Sequence, residues 1–245
     1  TSPDHSPSDD SSHSDDIFLN GEYIKKQFAS IHQKEGTDDQ PGYHGPAFYS
    51  GVFTYPLSRP HTTDNVPCMQ LDAIPDAAQP WITRSRHWPN EAVIQEAVTL
   101  GCQLVHKPPK SSDIIDQELE WRYSFPKIEN FLSDHRTEKQ QLVYFISKLL
   151  YYQHLKVEHG DSEFGSYCLK TCFMWLLEQT PVERWVEEDV LAMVAELFKR
   201  LQRSLNDGHL PMYFIPSVNL IEDYPRELLA QVHGRLEVGS VMKFD

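Results

Sequence analysis

The chain has no apolar run approaching the ~20 residues that a membrane-spanning helix needs, and no apolar stretch near its N-terminus that would serve as a secretory signal. It has only four cysteines, Cys68, Cys102, Cys168 and Cys172, with no C-x-x-C pair among them. That excludes a disulfide-stapled scaffold and fits a reducing, cytoplasmic setting. It is short of positive charge: 22 Lys and Arg stand against 36 Asp and Glu, for a formal net charge of −14. Nucleic-acid binders usually carry a basic face. The acidic total argues against that class, although a local patch can survive it. No internal repeat is present.

What is there changes character along the 245 residues. Residues 1–14 are rich in Ser, Asp and Pro with no apolar side chain, the composition of an exposed acidic segment. Ile17-Phe18-Leu19 is a short strand candidate closed by Asn20-Gly21, residues 33–46 are polar and turn-rich, and Val66 to Leu71 is a second strand candidate. From Pro89 the pattern turns helical. Asn90 caps a helix whose face is Val93, Ile94, Ala97 and Val98 and which Gly101 ends. Gln103-Leu104-Val105 is extended, and Lys107 to Asp116 is a loop. A helix from about Thr137 sets Leu142, Phe145, Ile146, Leu149 and Leu150 on one stripe. The next, from Ser166 through Leu177, is apolar almost all round and should be central. The clearest begins near Glu187, keeps helical period from Val190 to Leu205, and stops at Asn206-Asp207-Gly208. After Asp223 the pattern is weak. Strands first and helices after is an α+β arrangement.

Five blocks stand in fixed order, four of which set aromatic residues beside Arg, Ser, Lys or Asp. They are Asp64-Asn65-Val66-Pro67-Cys68-Met69, Pro80-Trp81-Ile82-Thr83-Arg84-Ser85-Arg86-His87-Trp88-Pro89, Glu120-Trp121-Arg122-Tyr123-Ser124-Phe125, Phe164-Gly165-Ser166-Tyr167-Cys168-Leu169-Lys170-Thr171 and Tyr213-Phe214-Ile215-Pro216-Ser217-Val218-Asn219-Leu220. Such mixtures pack a core and also hold a flat, charged ligand: aromatic rings bury large area, and Arg stacks on rings and grips phosphate with two donors. In this order they resemble the Mab-21 family of nucleotidyltransferase-like proteins, which includes cyclic GMP–AMP synthase, and are similar to its invertebrate members. The resemblance covers about residues 43–222.

It implies a partial nucleotidyltransferase core with a mixed-sheet remnant at 15–88, a helical C-terminal lobe at 89–222 and a tail at 223–245. The chain would be a fragment lacking the Gly-Ser turn and first strand that open such cores. Nucleotidyl transfer needs carboxylates that hold Mg²⁺ against the triphosphate. The family supplies a D-x-D pair and a third acid on a neighbouring strand. Asp64 falls at the third acid. The candidates for the pair, Asp15 and Asp16, are adjacent, so on a strand they would point to opposite faces, and a D-x-D reading leaves one carboxylate missing. The resemblance places Arg122, Ser124, Lys148, Ser166 and Tyr167 in the nucleotide cleft: Arg122 or Lys148 on phosphate, Ser166 hydrogen-bonding it, Tyr167 stacked on a base.

Plainer readings stand beside each of these. Arg122 could pair with Glu129 or another acid, Ser166 could cap a helix, and Arg84, Arg86, His87 and Trp88 could be a structured loop rather than a cationic aromatic patch. Cys168 and Cys172 with His154 and His159 could be imagined as a zinc site, but two buried small side chains are the simpler account. The zinc insertion of cyclic GMP–AMP synthase is not encoded: Asn130 to Gln141 has His135 and no cysteine. No zinc and no double-stranded DNA sensing of that kind are therefore expected. Three functions stay open: a catalytically degenerate fold binding ATP, GTP or a protein partner; an active receptor of innate immunity that makes a cyclic dinucleotide with Mg²⁺, responding to RNA or another ligand; and a structural module.

Overall fold

A computed structural model describes residues 20–32, 42–44, 47–52, 61–107, 118–160 and 162–237. The chain divides into two compact units. One holds Thr1–Pro67, His106–Pro108 and Ser112–Trp121, the other Cys68–Val105, Pro109–Ser111 and Arg122–Asp245.

The first unit contains helix α1 (Gly21–His32) and an antiparallel sheet of β1 (Gly42–His44), β2 (Ala47–Val52) and β3 (His61–Asn65), in the order β1-β2-β3. Asn20-Gly21 opens α1. The Asn20 side chain accepts the Tyr23 N–H at 2.8 Å, the N-cap role this residue type fills well. Gly21 is needed because a Cβ there would lie 1.9 Å from the ring of the buried His106. Residues 42–44, expected in a polar turn, form β1 because Tyr43 pairs with Phe48 across the hairpin. The strand expected at Ile17-Phe18-Leu19 lies outside the described residues.

In the rest of the chain, a second three-stranded sheet has the order β4 (Cys68–Leu71), β5 (Cys102–His106), β6 (Trp121–Ser124). Cys68 faces Val105 and Leu71 faces Cys102 in an antiparallel register. The chain reaches β5 through α2 (Gln79–Thr83) and α3 (Glu91–Val98). Asn90 accepts the Val93 N–H at 3.0 Å and so caps α3. Gly101 makes the turn into β5 at a φ of 63°, where a Cβ would meet the Leu71 carbonyl oxygen at 2.0 Å.

The helices that follow are α4 (Pro126–Asp134), α5 (Glu138–Leu150), α6 (Ser166–Gln179), α7 (Val190–Asp207) and α8 (Arg226–Glu237). A small hairpin of β7 (Glu158–His159) and β8 (Ser162–Glu163) precedes α6. α6 is the central helix, with nine buried residues that include Cys168, Leu169, Cys172, Phe173 and Leu176. α7 lays Val194, Leu197, Phe198 and Leu201 against it, and α8 adds Leu228, Val232 and Leu236. A second cluster joins Trp81, Ile94, Ala97, Phe125, Ile128, Leu132, Met174, Tyr213 and Phe214. The resulting architecture is α+β, with small antiparallel sheets before a helical C-terminal part.

The apolar stripe expected on α5 divides: Leu142 is 40 %, Phe145 60 % and Leu149 49 % exposed, while Ile146 and Leu150 pack against the first core cluster beside the buried Val143, and Gln140 and Ser147 are buried too. The segment after Asp223, where the pattern is weak, forms α8 and buries three side chains. No helix among the described residues is long and apolar enough to cross a membrane.

Candidate functional site

The conspicuous cationic stretch after Trp81 belongs to the scaffold. Arg84 meets the buried Glu178 through two nitrogens, at 2.6 and 2.9 Å. Its guanidinium lies 4.0 Å above the Trp175 ring and 4.7 Å from that of Tyr213. Arg86 hydrogen-bonds the Trp81 carbonyl and lies 3.9 Å from the same Glu178 carboxylate, and burial lowers its pKa. These side chains lock the loop onto α6 and leave no cationic patch for a ligand. Tyr213 and Phe214 are fully buried and architectural. Cys168 and Cys172 lie buried in α6, and burial pushes the Cys172 thiol far up.

A different set of side chains gathers at the start of α6. β6 alternates, so Trp121 and Tyr123 share one face while Arg122 and Ser124 share the other. Tyr123 packs on the second core cluster, and Arg122 is exposed on the opposite side. Protein packed around its guanidinium displaces enough water to lower its pKa, partly offset by Tyr167, Tyr224 and Asp223. Tyr167 is thus among the groups whose charge the Arg122 guanidinium feels. Ser166, the first residue of α6, is adjacent in the chain. The cap position is Gly165, which offers no side chain, and the first turn of α6 holds no acidic residue. Its positive end is therefore not neutralised by this helix's own sequence. The Gly165 N–H instead donates to the Tyr224 hydroxyl at 3.2 Å. Burial chiefly pushes that phenol up to about 12.

Glu129 lies in the first turn of α4, where Pro126 suits the opening position. It is only 8 % exposed. Of the acids open to Arg122 in the plainer reading, Glu129 has other partners: the Tyr167 hydroxyl, which donates at 2.9 Å, and the Lys170 ammonium. Tyr167 and Lys170 are one turn apart on α6 and reach one carboxylate together. Burial, with Glu129 second, holds the Tyr167 phenol well above the ordinary tyrosine value.

The remaining sequence candidates fall elsewhere. Lys148 is exposed on α5, and its ammonium makes no hydrogen bond or ion pair among the described residues. Asp64 lies on β3, opposite Tyr49 of β2. Asp15 and Asp16 lie outside the described residues. No group of three or more His, Cys, Asp or Glu side chains converges as a metal-binding set among the described residues. Asp64 is the one family acid among the described residues. An open depression of about 400 Å³ between α6 and α7, lined by Gln179, Arg184, Met193, Glu196 and Lys199 among others, includes none of the candidate residues.

Sequence reasoning missed Glu129 and Lys170 as partners of Tyr167, and missed Tyr224 altogether. Lys170 has a legible signal, since it stands three residues after Tyr167 on a helix. Tyr224 has none, because it reaches Gly165 from 59 residues away.

The Mab-21 protein nucleotidyltransferase domain matches residues 23–133, and the Mab-21 protein HhH/H2TH-like domain matches residues 133–237. The chain belongs to the Mab-21 family. Among its curated relatives is a cyclic GMP-AMP synthase-like receptor of Ctenocephalides felis, 28% identical over 120 residues, which are 48% of this chain and 26% of that protein. Another protein of the same description, from Lucilia cuprina, is 28% identical over 72 residues, 29% of this chain and 19% of that protein. This Mab-21 chain therefore aligns with only about a quarter or less of the length of either relative.

Proposed function

We propose that this Mab-21 chain binds a nucleoside triphosphate at the start of α6 and does not itself carry out nucleotidyl transfer. The observation that carries the reading is the opening of α6 on Gly165, with no capping side chain and no acidic residue in its first turn, directly before Ser166 and Tyr167. An anion is favoured at the backbone N–H groups of a helix N-terminus, and the guanidinium of Arg122 would add to it. A ring beside that anion site suits the base of the same ligand. Ser166 supplies a hydroxyl next to the phosphate position, and Ser124 shares the Arg122 face of β6. The relatives described as cyclic GMP-AMP synthase-like receptors support the ligand class.

The absence of catalysis rests on the acids. Asp64 stands where the third carboxylate of the family falls, but Asp15-Asp16 has the wrong spacing for two carboxylates on one strand face. Calorimetry with ATP and GTP on the native chain, Tyr167→Ala and Arg122→Ala tests the binding. The native protein should bind, the Tyr167 variant should lose roughly 5- to 150-fold if stacking contributes ~1–3 kcal/mol, and the Arg122 variant should lose the phosphate contribution. Equal binding by all three, or none at high concentration, would favour a structural module. Mass spectrometry after incubation with ATP, GTP and Mg²⁺ should detect no cyclic dinucleotide. A product that vanishes in Asp64→Asn would make the active-receptor reading correct.

A further inference from the structure

The most heavily constrained ionisable side chain near the proposed base position is one that the proposed binding does not use. Glu129 is buried, and both of its recorded partners come from the first turns of α6. A buried carboxylate is costly unless it is paired and hydrogen-bonded. Lys170 supplies the charge and Tyr167 supplies a hydroxyl. The hydroxyl is the interesting partner. A tyrosine ring tethered only at Cβ retains freedom about χ1 and χ2. A ring tethered also at its far end, through the hydroxyl to a carboxylate on another helix, does not. The carboxylate itself cannot wander, because it leaves the first turn of α4 and is held by an ammonium on the same helix as the ring.

The geometry points to Glu129 as a positioning residue for nucleotide binding: by accepting the Tyr167 hydroxyl, with Lys170 as its counter-ion, it fixes the Tyr167 ring in the orientation that stacks on the base. This rests on the proposed nucleotide site. Glu129 acts through Tyr167 and has no contact with the ligand in this account. The advantage is preorganisation: the ordering cost of a side chain is met during folding and not during binding. Arg122, on β6, handles the phosphates, so removing the tether should affect base recognition and leave phosphate recognition alone.

That separation gives the test. Binding of ATP and of inorganic tripolyphosphate, which has the charge and no base, is measured on the native chain, Tyr167→Phe, Glu129→Gln and Glu129→Ala, each with its thermal transition recorded. Tyr167→Phe keeps the ring and loses only the tether. It should weaken ATP roughly 2- to 12-fold, the equivalent of re-ordering one side chain, and leave tripolyphosphate unchanged. Glu129→Ala should weaken ATP similarly and leave tripolyphosphate unchanged or tighter, since Lys170 is released. Glu129→Gln keeps an acceptor and should recover part of the ATP affinity. A double variant of Tyr167→Phe with Glu129→Ala should be no worse than either alone. ATP affinity equal in the native chain and Tyr167→Phe overturns the positioning role while the nucleotide site stands. Loss of both ligands in parallel makes Glu129 a merely structural link between α4 and α6 and also overturns it. No ATP binding by the native chain overturns the nucleotide site itself, and the positioning role with it.

Discussion

Glu178 is the residue on which the loop after Trp81 depends. It is 3 % exposed and receives Arg84 directly, with Arg86 at 3.9 Å. Three charges close together in a dry place are tolerable only as a set, because removing one partner leaves the others uncompensated. Glu178→Ala should therefore cost about 3–5 kcal/mol, the range for breaking a buried pair, read as a drop in the denaturant midpoint. A loss under ~0.5 kcal/mol would place the pair among ordinary surface contacts. The sequence displays Arg84 and Arg86 in a block with two tryptophans, and that block looks equally like a ligand patch or an anchor. Nothing local decides between them, since the deciding carboxylate stands 94 residues away from Arg84. Long-range partners escape a sequence reading, and the same holds for Tyr224 at Gly165.

Among the elements, α5 shows how a hydrophobic pattern can mislead. Leu142, Phe145 and Leu149 of its apolar stripe are outward, while Val143, Ile146 and Leu150 pack inward beside two polar side chains that find partners on their own helix. Thr137 and Gln140 form a reciprocal capping box, with the Gln140 side chain accepting the Thr137 N–H at 2.9 Å. Ser147 donates to the Val143 carbonyl at 2.8 Å. Satisfied this way, Gln140 and Ser147 can be buried among the aliphatic residues. Phe145→Ala should then change stability by less than ~0.5 kcal/mol, as an exposed substitution does, while Leu197→Ala in α7 should cost about 2–5 kcal/mol. Urea titrations of the two variants would show it, and comparable losses would contradict the exposed face. α3 and α7 were legible because period and an end signal agree, Asn90 before α3 and Gly208 at a φ of 63° after α7, and α6 was legible from its nearly continuous apolar run. α1 and α4 were not. α1 opens on Asn-Gly, which reads equally as a turn, and α4 spans only nine residues after a proline. In the candidate site the family resemblance pointed to Arg122, Ser166 and Tyr167, and strand alternation joins Ser124 to Arg122. The tether through Glu129 needed the packing of α4 on α6.

At the scale of the whole molecule, ionisation of buried phenols sets an alkaline limit. Tyr151, Tyr167, Tyr213 and Tyr224 are all raised above the ordinary value of 10.0, in each case chiefly by burial. A phenol raised in the folded state binds its proton more tightly there than when unfolded. Its contribution is fully present below about pH 10 and is lost as pH rises through the folded value. The urea midpoint should stay level up to about pH 9 and fall steeply above pH 10, and a flat profile to pH 11 would mean that these hydroxyls are open to water. The central claim concerns where a nucleotide sits, and NMR on ¹⁵N-labelled protein titrated with ATP reads that most directly. The account predicts that the largest amide shifts fall on Gly165 to Cys168 and on Arg122 to Ser124. Shifts confined to other segments, or none at all, would contradict it.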